Sequence, residues 1–250
     1  MNIALIGFGK MGQIVKEVAE KRGHTIVSII DPQVPNATHE EISQEALKQA
    51  DVCIEFSMPQ AAVENIRKVG ALRKNHVMAT TGWYNELEKA REIVKKNGNG
   101  FLYAANFSIG VNLFYRMIEN AARLVNNVEA YDVFSYELHH SRKQDSPSGT
   151  AKEIGNILVN NLDRKEKLVT EKLDRKIAPD EIHVASIRGG DIPGTHVVGF
   201  DSEFDTIELK HTARNRNGFA LGAVLAAEWL HGKRGFFTIN DFIKETLREG

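Results

Sequence analysis

Cysteine is nearly absent from this sequence: Cys53 is the only one in 250 residues. An intramolecular disulfide is therefore impossible and a four-thiolate metal site is excluded. Such a composition fits a reducing compartment, and a cytoplasmic setting is expected. An excess of one charge is also missing. The 32 Lys and Arg against 33 Asp and Glu leave a formal net charge of −1, without the basic surplus that supplies most nucleic-acid affinity. No apolar run approaches the ~20 residues that a membrane-spanning helix needs. The amino terminus opens directly into Asn2–Ile6 with no basic leader or small-residue cleavage site, so no secretory signal is expected. Repeats, low-complexity tracts and long linkers are lacking as well. With about 100–200 residues per domain, the length allows one large domain or two modest ones.

What is present is a regular alternation. Continuous apolar runs at 2–6, 24–30, 51–56, 76–80 and 101–105 read as strands. Amphipathic stretches at 11–22, from Pro59 to about Lys74, and at 86–96 read as the helices between them. This pattern predicts an α/β domain, a Rossmann-like doubly wound parallel sheet with helices on both faces. After Asn106 the rhythm changes. A helix over 111–126, a strand over 129–139, a helix from about Gly149 to Leu162 and strands over 182–188, 196–200 and 206–212 predict an α+β domain. Residues 163–180 read as a charged surface excursion, and helices over 220–231 and 239–247 close the chain. The second domain is thus expected as an insertion, with residues 1–107 and 213–250 on one side and 108–212 on the other.

Between the first strand and helix lies Gly7-Phe8-Gly9-Lys10-Met11-Gly12, a G-x-G-x-x-G run. Its first glycine permits the tight turn, its second lets a pyrophosphate approach the backbone, and its third lets helix and strand pack closely. Asp31 ends the next strand about 20 residues on, where a ribose-binding carboxylate belongs. A plain βα turn with a strand-ending acid would contain the same residues, but the combination favours a dinucleotide. The acid suits the ribose hydroxyls of NADH and repels the 2′-phosphate of NADPH. Pro32 and Gln33 supply no cation, whereas Lys10 does, so NADH is expected to serve at least as well as NADPH. Ala79-Thr80-Thr81-Gly82 and Ala104-Ala105-Asn106-Phe107 follow later strands, at the sheet end where ligands bind.

The most unusual segment is Glu137-Leu138-His139-His140-Ser141-Arg142-Lys143-Gln144-Asp145-Ser146-Pro147-Ser148-Gly149-Thr150. Ser148-Gly149-Thr150 opens a helix, whose free N–H groups and hydroxyls form a carboxylate cradle. Lys143 and His140 add positive charge for a second carboxylate, and a histidine gives or takes a proton near neutral pH. Adjacent histidines on a strand face opposite ways, and no Cys/His/Asp set at ligand spacing completes a metal site, so none is expected.

The run E-x-H-H-x-x-K-x-D-x-P-S-G-T closely resembles the signature of the 4-hydroxy-tetrahydrodipicolinate (dihydrodipicolinate) reductase family. Ala105-Asn106-Phe107-Ser108-Ile109-Gly110-Val111-Asn112 and Arg188-Gly189-Gly190-Asp191-Ile192-Pro193-Gly194 extend the likeness over nearly the whole chain. The resemblance implies NAD(P)H-dependent reduction of a cyclic dicarboxylate in lysine biosynthesis by the diaminopimelate route. By it, His139 corresponds to the proton donor/acceptor and Lys143 to a second donor, while His140, Gly149 and Thr150 correspond to substrate contacts, beside the Ser148 that opens the helix. Gly7 to Met11, Asp31, Ala79 to Thr81 and Ala104 to Phe107 correspond to nucleotide contacts. The inserted domain is implied to bind substrate and build a homotetramer, and closure between domains is implied during turnover. Two departures stand out: the glycine loop is one residue shorter than in many members, and Pro32 replaces a basic residue. The alternatives are an amino-acid dehydrogenase of similar build and an NADH-binding sensor that consumes no cofactor.

Overall fold

The computed structural model describes residues 1–247 and divides the chain into two compact units. One comprises Met1–Ser108 and the segment from Arg216 onward, the other Ile109–Asn215. In the first, β1 (Asn2–Ile6) leads through α1 (Lys10–Lys21) to β2 (Thr25–Ile30), then α2 (Gln44–Leu47), β3 (Val52–Glu55), α3 (Pro59–Ala71), β4 (Asn75–Met78), α4 (Leu87–Asn97) and β5 (Gly100–Tyr103). The second unit is α5 (Ile109–Asn126), β6 (Asp132–His139), α6 (Gly149–Asn161), β7 (Lys167–Val169), β8 (Glu181–Arg188), β9 (Thr195–Asp201) and β10 (Thr206–Thr212). The chain then returns to the first unit as α7 (Asn217–Leu230), β11 (Gly235–Thr238) and α8 (Ile239–Leu247).

The first unit holds a six-stranded parallel sheet in the order β11-β5-β4-β3-β1-β2. Helices on both faces leave strands such as β3 buried throughout, which is why they read as unbroken apolar runs. Each fully buried Leu, Ile or Val here, Leu5 and Ile54 among them, contributes about 1.5–3 kcal/mol. Because β1 lies between β2 and β3, the direction of winding switches there, and ligands of such sheets bind at that point. The register aligns the carboxyl ends: Ile6 lies opposite Ile30 and Glu55, Glu55 opposite Met78, and Met78 opposite Tyr103. Gly7, Asp31, Phe56, Ala79 and Ala104 therefore emerge along one edge of the sheet.

The second unit holds a mixed sheet in the order β10-β9-β6-β8-β7. Its central strand, β6, pairs antiparallel with β9 and parallel with β8. Val133, Val184, Val198 and Phe200 pack on one face against Ile118 of α5 and Ile154 and Leu158 of α6. Burial alternates along β6, which puts Ser135, Glu137 and His139 on the same face as Val133.

Two short strands depart from the sequence expectation. The segment 163–180 is not wholly an excursion, since β7 pairs parallel with β8; three residues are too few to show a period. The four-residue β11 extends the parallel sheet beside β5 for the same reason unannounced. No helix among the described residues is long and apolar enough to cross a membrane.

Candidate active site

Gly7 turns the chain at the end of β1 with φ +85°, and a Cβ there would lie 2.3 Å from the Phe56 carbonyl oxygen. A side chain at Gly12 would come within 2.4 Å of the Gly7 carbonyl oxygen, so α1 seats closely on the loop. Gly9 differs: nothing lies within 4 Å of its missing Cβ. It is the N-cap of α1, and no side chain caps that turn. The first N–H groups of a helix lack intrahelical partners, so an open backbone and the positive end of a helix meet at Gly9. This cradle fits a dinucleotide pyrophosphate. Phe8 is buried, Met11 half-buried and Lys10 exposed.

Asp31 adjoins this loop. Its Oδ2 accepts from the Phe8 N–H at 2.7 Å and its Oδ1 from the Gln33 N–H at 2.9 Å. Each carboxylate oxygen keeps lone-pair capacity for a sugar hydroxyl. Thr80 is buried; its Oγ1 accepts from the Ser57 N–H at 2.8 Å, and its carbonyl accepts from the Trp83 indole at 2.8 Å. Thr81 and Ala105 are exposed, whereas Ala104 and Phe107 are buried and Asn106 accepts from the Ser108 N–H at 2.8 Å. Thus Thr80 and Phe107 fix the strand ends, and Gly9, Thr81 and Ala105 present the open surface. Beneath them lies a buried cluster unannounced in the sequence. Glu55 Oε1 accepts from Ser57 Oγ and from Asn65 at 2.9 Å, while His76 Nε2 stands 2.8 Å from Oε2.

In the second unit, the register of three strands builds the site around Glu137, which is fully buried. Its cross-strand neighbours are Ser186 on β8 and His196 on β9, and Arg188 lies opposite His139. Glu137 Oε1 accepts from Ser186 Oγ at 2.9 Å, Arg188 Nη2 at 2.8 Å and the Ser148 N–H at 2.9 Å. Ser148 Oγ donates to Oε2 and also accepts from the Ala151 N–H, capping α6. Arg188 further donates to the Asp145 carbonyl at 2.7 Å, and Lys143 Nζ stands 2.7 Å from Asp145 Oδ1. Gly149, at the start of α6, has open space where a side chain would be. Thr150 is hydrogen-bonded to Tyr115. His140 follows the end of β6, and its backbone N–H donates to the Ile192 carbonyl at 2.8 Å.

Electrostatics follow from this packing. Burial would push the Glu137 carboxyl up, but its hydrogen bonds from Ser148, Arg188 and Ser186 outweigh that and hold it at about 2. Burial lowers His139 below its ordinary value; the Glu137 charge opposes the shift, and Lys143 and Arg188 add to it. His196 is pushed down to about 4, again chiefly by burial. Asp145 lies below the usual carboxylate range despite partial burial, because Lys143 donates to it.

Glu137, His139 and His196 bring donor atoms within 4.8 Å of one another, a grouping absent from the sequence reading because His196 arrives from β9. Such spacing is compatible with a cation. Here, however, both Glu137 oxygens already accept hydrogen bonds, one of them from a guanidinium. The cluster is accordingly a hydrogen-bonded one built on a single carboxylate.

Comparison with known proteins decides the family. The model "Dihydrodipicolinate reductase, N-terminus" matches residues 1–107 and "Dihydrodipicolinate reductase, C-terminus" matches residues 110–243. The chain belongs to the dihydrodipicolinate reductase family. A 4-hydroxy-tetrahydrodipicolinate reductase from Christiangramia forsetii is 41% identical over 248 residues, covering 99% of this chain and 100% of that one. Its counterpart from Methanoregula boonei is 38% identical, covering 94% of each. Among solved structures, a dipicolinate-bound dihydrodipicolinate reductase from Paenisporosarcina sp. TG-14 shares the fold, with a TM-score of 0.78 at 22% identity over 96% of this chain and 98% of that one.

In this family member, the structure gathers the two predicted residue sets on separate units. Gly7 to Gly12, Asp31, Ala79 to Thr81 and Ala104 to Phe107 line the carboxyl edge of the parallel sheet. His139, Lys143 and Ser148 surround the Glu137 cluster. Sequence reasoning gave Glu137, Ser186, Arg188 and His196 no role. The i, i+2 spacing of Glu137 and His139 was the one available signal for the first; the others depend on register.

Proposed function

We propose that this chain reduces 4-hydroxy-tetrahydrodipicolinate to tetrahydrodipicolinate with NADH or NADPH, in the diaminopimelate route to lysine. The observation that carries the reading is the cluster at the end of β6, where a histidine, a lysine and a helix N-terminus meet beside an anchored carboxylate. It occurs in a chain whose full-length relatives bear that enzyme's name. The unit of Met1–Ser108 and the segment from Arg216 is the dinucleotide-binding domain, and Ile109–Asn215 binds substrate.

The overall change adds a hydride and a proton and releases water. When bound, the reduced nicotinamide supplies the hydride. Loss of the ring hydroxyl leaves a conjugated C=C–C=N system, and electron density moves toward its nitrogen as the hydride adds. A proton must then arrive, and His139 Nε2 and Lys143 Nζ are the candidate donors. The start of α6 at Gly149 and Thr150 receives one substrate carboxylate, while His140 and Lys143 steady the other. Positioned proton transfer of this kind is typically worth ~10²–10⁴ in rate.

Gly7, Gly9 and Gly12 shape the pyrophosphate cradle. Asp31 takes the adenosine ribose, with Ala79, Thr81, Ala105 and Asn106 along the same edge. Its carboxylate supports NADH at least as well as NADPH, with Lys10 the nearby cation for a 2′-phosphate. The substrate unit also builds a homotetramer. Support comes from the face of its sheet opposite α5 and α6, where Phe134, Tyr136 and Leu138 alternate with the buried row and Ile187 is 51% exposed. A buried free Cys53 and the biosynthetic substrate support a cytoplasmic setting.

The test is oxidation of NADH and NADPH, followed by near-ultraviolet absorbance, with substrate formed in situ from pyruvate and aspartate semialdehyde by the preceding synthase. Substrate-dependent oxidation is expected with both cofactors. Cofactor binding without consumption would move the sensor reading to the front.

A further inference from the structure

We propose that Glu137 is a positioning residue, which holds the His139 imidazole with its resting proton on Nδ1 and so reserves Nε2 for the proton that moves. This rests on the proposed function and adds to it a residue whose place in the reaction is fixed by register. Glu137 and His139 stand two apart on β6 and share a face. His139 Nδ1 lies 3.3 Å from Glu137 Oε2, at ion-pair distance but not in hydrogen-bond geometry, and is buried with no hydrogen-bond partner among the described residues. Catalytic hydrogen bonds are commonly long or poorly aligned before substrate binds and tighten afterwards. The opposite nitrogen meets a different surface. A Cβ at Gly194 would lie 3.0 Å from Nε2, so glycine keeps that side of the ring clear.

Three further features make Glu137 suited to the task. Its charge is permanent, because Ser148, Ser186 and Arg188 all donate to it. Oε2 also accepts from Ser148 Oγ, but the rival histidine for it is farther away: His196 Nδ1 stands 3.8 Å from Oε2, with its ring edge-on to His139 at 5.2 Å between centroids. Burial keeps His196 neutral, so it forms an uncharged wall instead of a rival cation. Finally, the same carboxylate accepts from the Ser148 N–H at the start of α6. One buried group thus sets both the proton donor and the proposed carboxylate cradle, and relates their positions to each other.

The charged and titratable groups facing His139 are Glu137 on its own strand, Lys143 and Asp145 on the following loop, Arg188 on β8 and His196 on β9. Glu137 and Asp145 favour the imidazolium, and Lys143 and Arg188 oppose it. Neutralising Glu137 leaves the two cations facing the ring, so His139 must then lose its proton at lower pH. A glutamine amide also offers N–H groups to Nδ1, which favours the tautomer protonated on Nε2.

Nitrogen-15 NMR of histidine-labelled protein, recorded above the His139 titration, tests this directly. The wild-type protein is expected to carry the His139 proton on Nδ1, and Glu137→Gln to carry it on Nε2. In parallel, the fall of kcat/KM with rising pH should move at least about one pH unit lower in Glu137→Gln, a change that loss of fold alone does not produce. Ser148→Ala, which removes the Oγ bond to Glu137 and the α6 cap at the Ala151 N–H but keeps the carboxylate, should raise KM for the dicarboxylate and leave that limb in place. A wild-type proton on Nε2, or an unmoved limb in folded Glu137→Gln, overturns the proposal. Because the wild-type spectrum needs neither turnover nor a variant, it decides the assignment separately from the reductase reading.

Discussion

The backbone N–H of Phe8 donates to Asp31 Oδ2 at 2.7 Å, so the acid just after β2 is tied to the glycine loop that follows β1. One carboxylate thereby shapes the loop and, on the proposed function, selects the cofactor. Asp31→Asn keeps an acceptor for the Phe8 N–H while removing the charge. NADH should bind ~10-fold more weakly, as expected for losing a hydrogen bond to an ionised group. NADPH affinity should hold or improve, since repulsion of a 2′-phosphate is relieved. Fluorescence titration with both cofactors measures the ratio; an equal loss for both would assign Asp31 to loop structure alone.

The glycines of the loop should separate into structural and binding positions. Gly7→Ala forces a Cβ to within 2.3 Å of the Phe56 carbonyl at φ +85°, and overpacking of this kind costs ~1–3 kcal/mol before backbone strain is added. Its melting temperature should fall by ~5 °C or more. Gly9→Ala meets nothing within 4 Å and should melt like the wild type, yet bind cofactor more weakly because the methyl group occupies the pyrophosphate's approach. Calorimetry and titration on both variants check the contrast.

Removing either proposed proton donor should cut turnover without loosening the cofactor. His139→Ala and Lys143→Ala are each expected to lower kcat by ~10²–10⁴, with the dissociation constant for NADH unchanged within twofold or so. For Lys143→Ala the loss of the Asp145 partner, 2.7 Å away, should also raise KM for the dicarboxylate. Parallel losses in turnover and cofactor affinity would point to damage of the fold instead.

Acid sensitivity should trace to two buried groups of opposite kind. His196 is held down at about 4, so the unfolded chain takes up its proton first and stability drops as pH falls from about 6.5, the unperturbed histidine value. Glu137 is held at about 2; its contribution is complete above the unfolded carboxylate value of about 4.3 and is lost as pH falls through about 2. Denaturant titrations at stepped pH should therefore show weakening in both windows. His196→Gln should shrink the upper one, to which His139 and His211, also lowered by burial, contribute, and spare the lower.

The parts legible in the sequence were those written locally. Gly7 to Gly12, Asp31 and the strands around them follow from apolar periodicity and glycine spacing, and the Glu137 to Thr150 run is contiguous. The strand ends that carry Ala79 and Ala104 could be placed because parallel strands align at their carboxyl edge. What the sequence concealed is non-local. Arg188, Ser186 and His196 reach Glu137 only through the pairing of β6 with β8 and β9, and no pattern within one strand encodes its neighbour's register. The inward turn of Thr80 and the burial of Phe107 are likewise consequences of packing. Strands as short as β7 and β11 carry too few residues for periodicity to register.

The most direct test of the central claim follows the transferred atom itself. NADH deuterated at the transferable C4 position would be incubated with the protein and synthase-generated substrate, and the product analysed by mass spectrometry. The account predicts tetrahydrodipicolinate carrying one deuterium in equal amount to the oxidised cofactor formed, and far less of it with His139→Ala. Unlabelled product, or intact cofactor in the presence of folded protein and substrate, would contradict it.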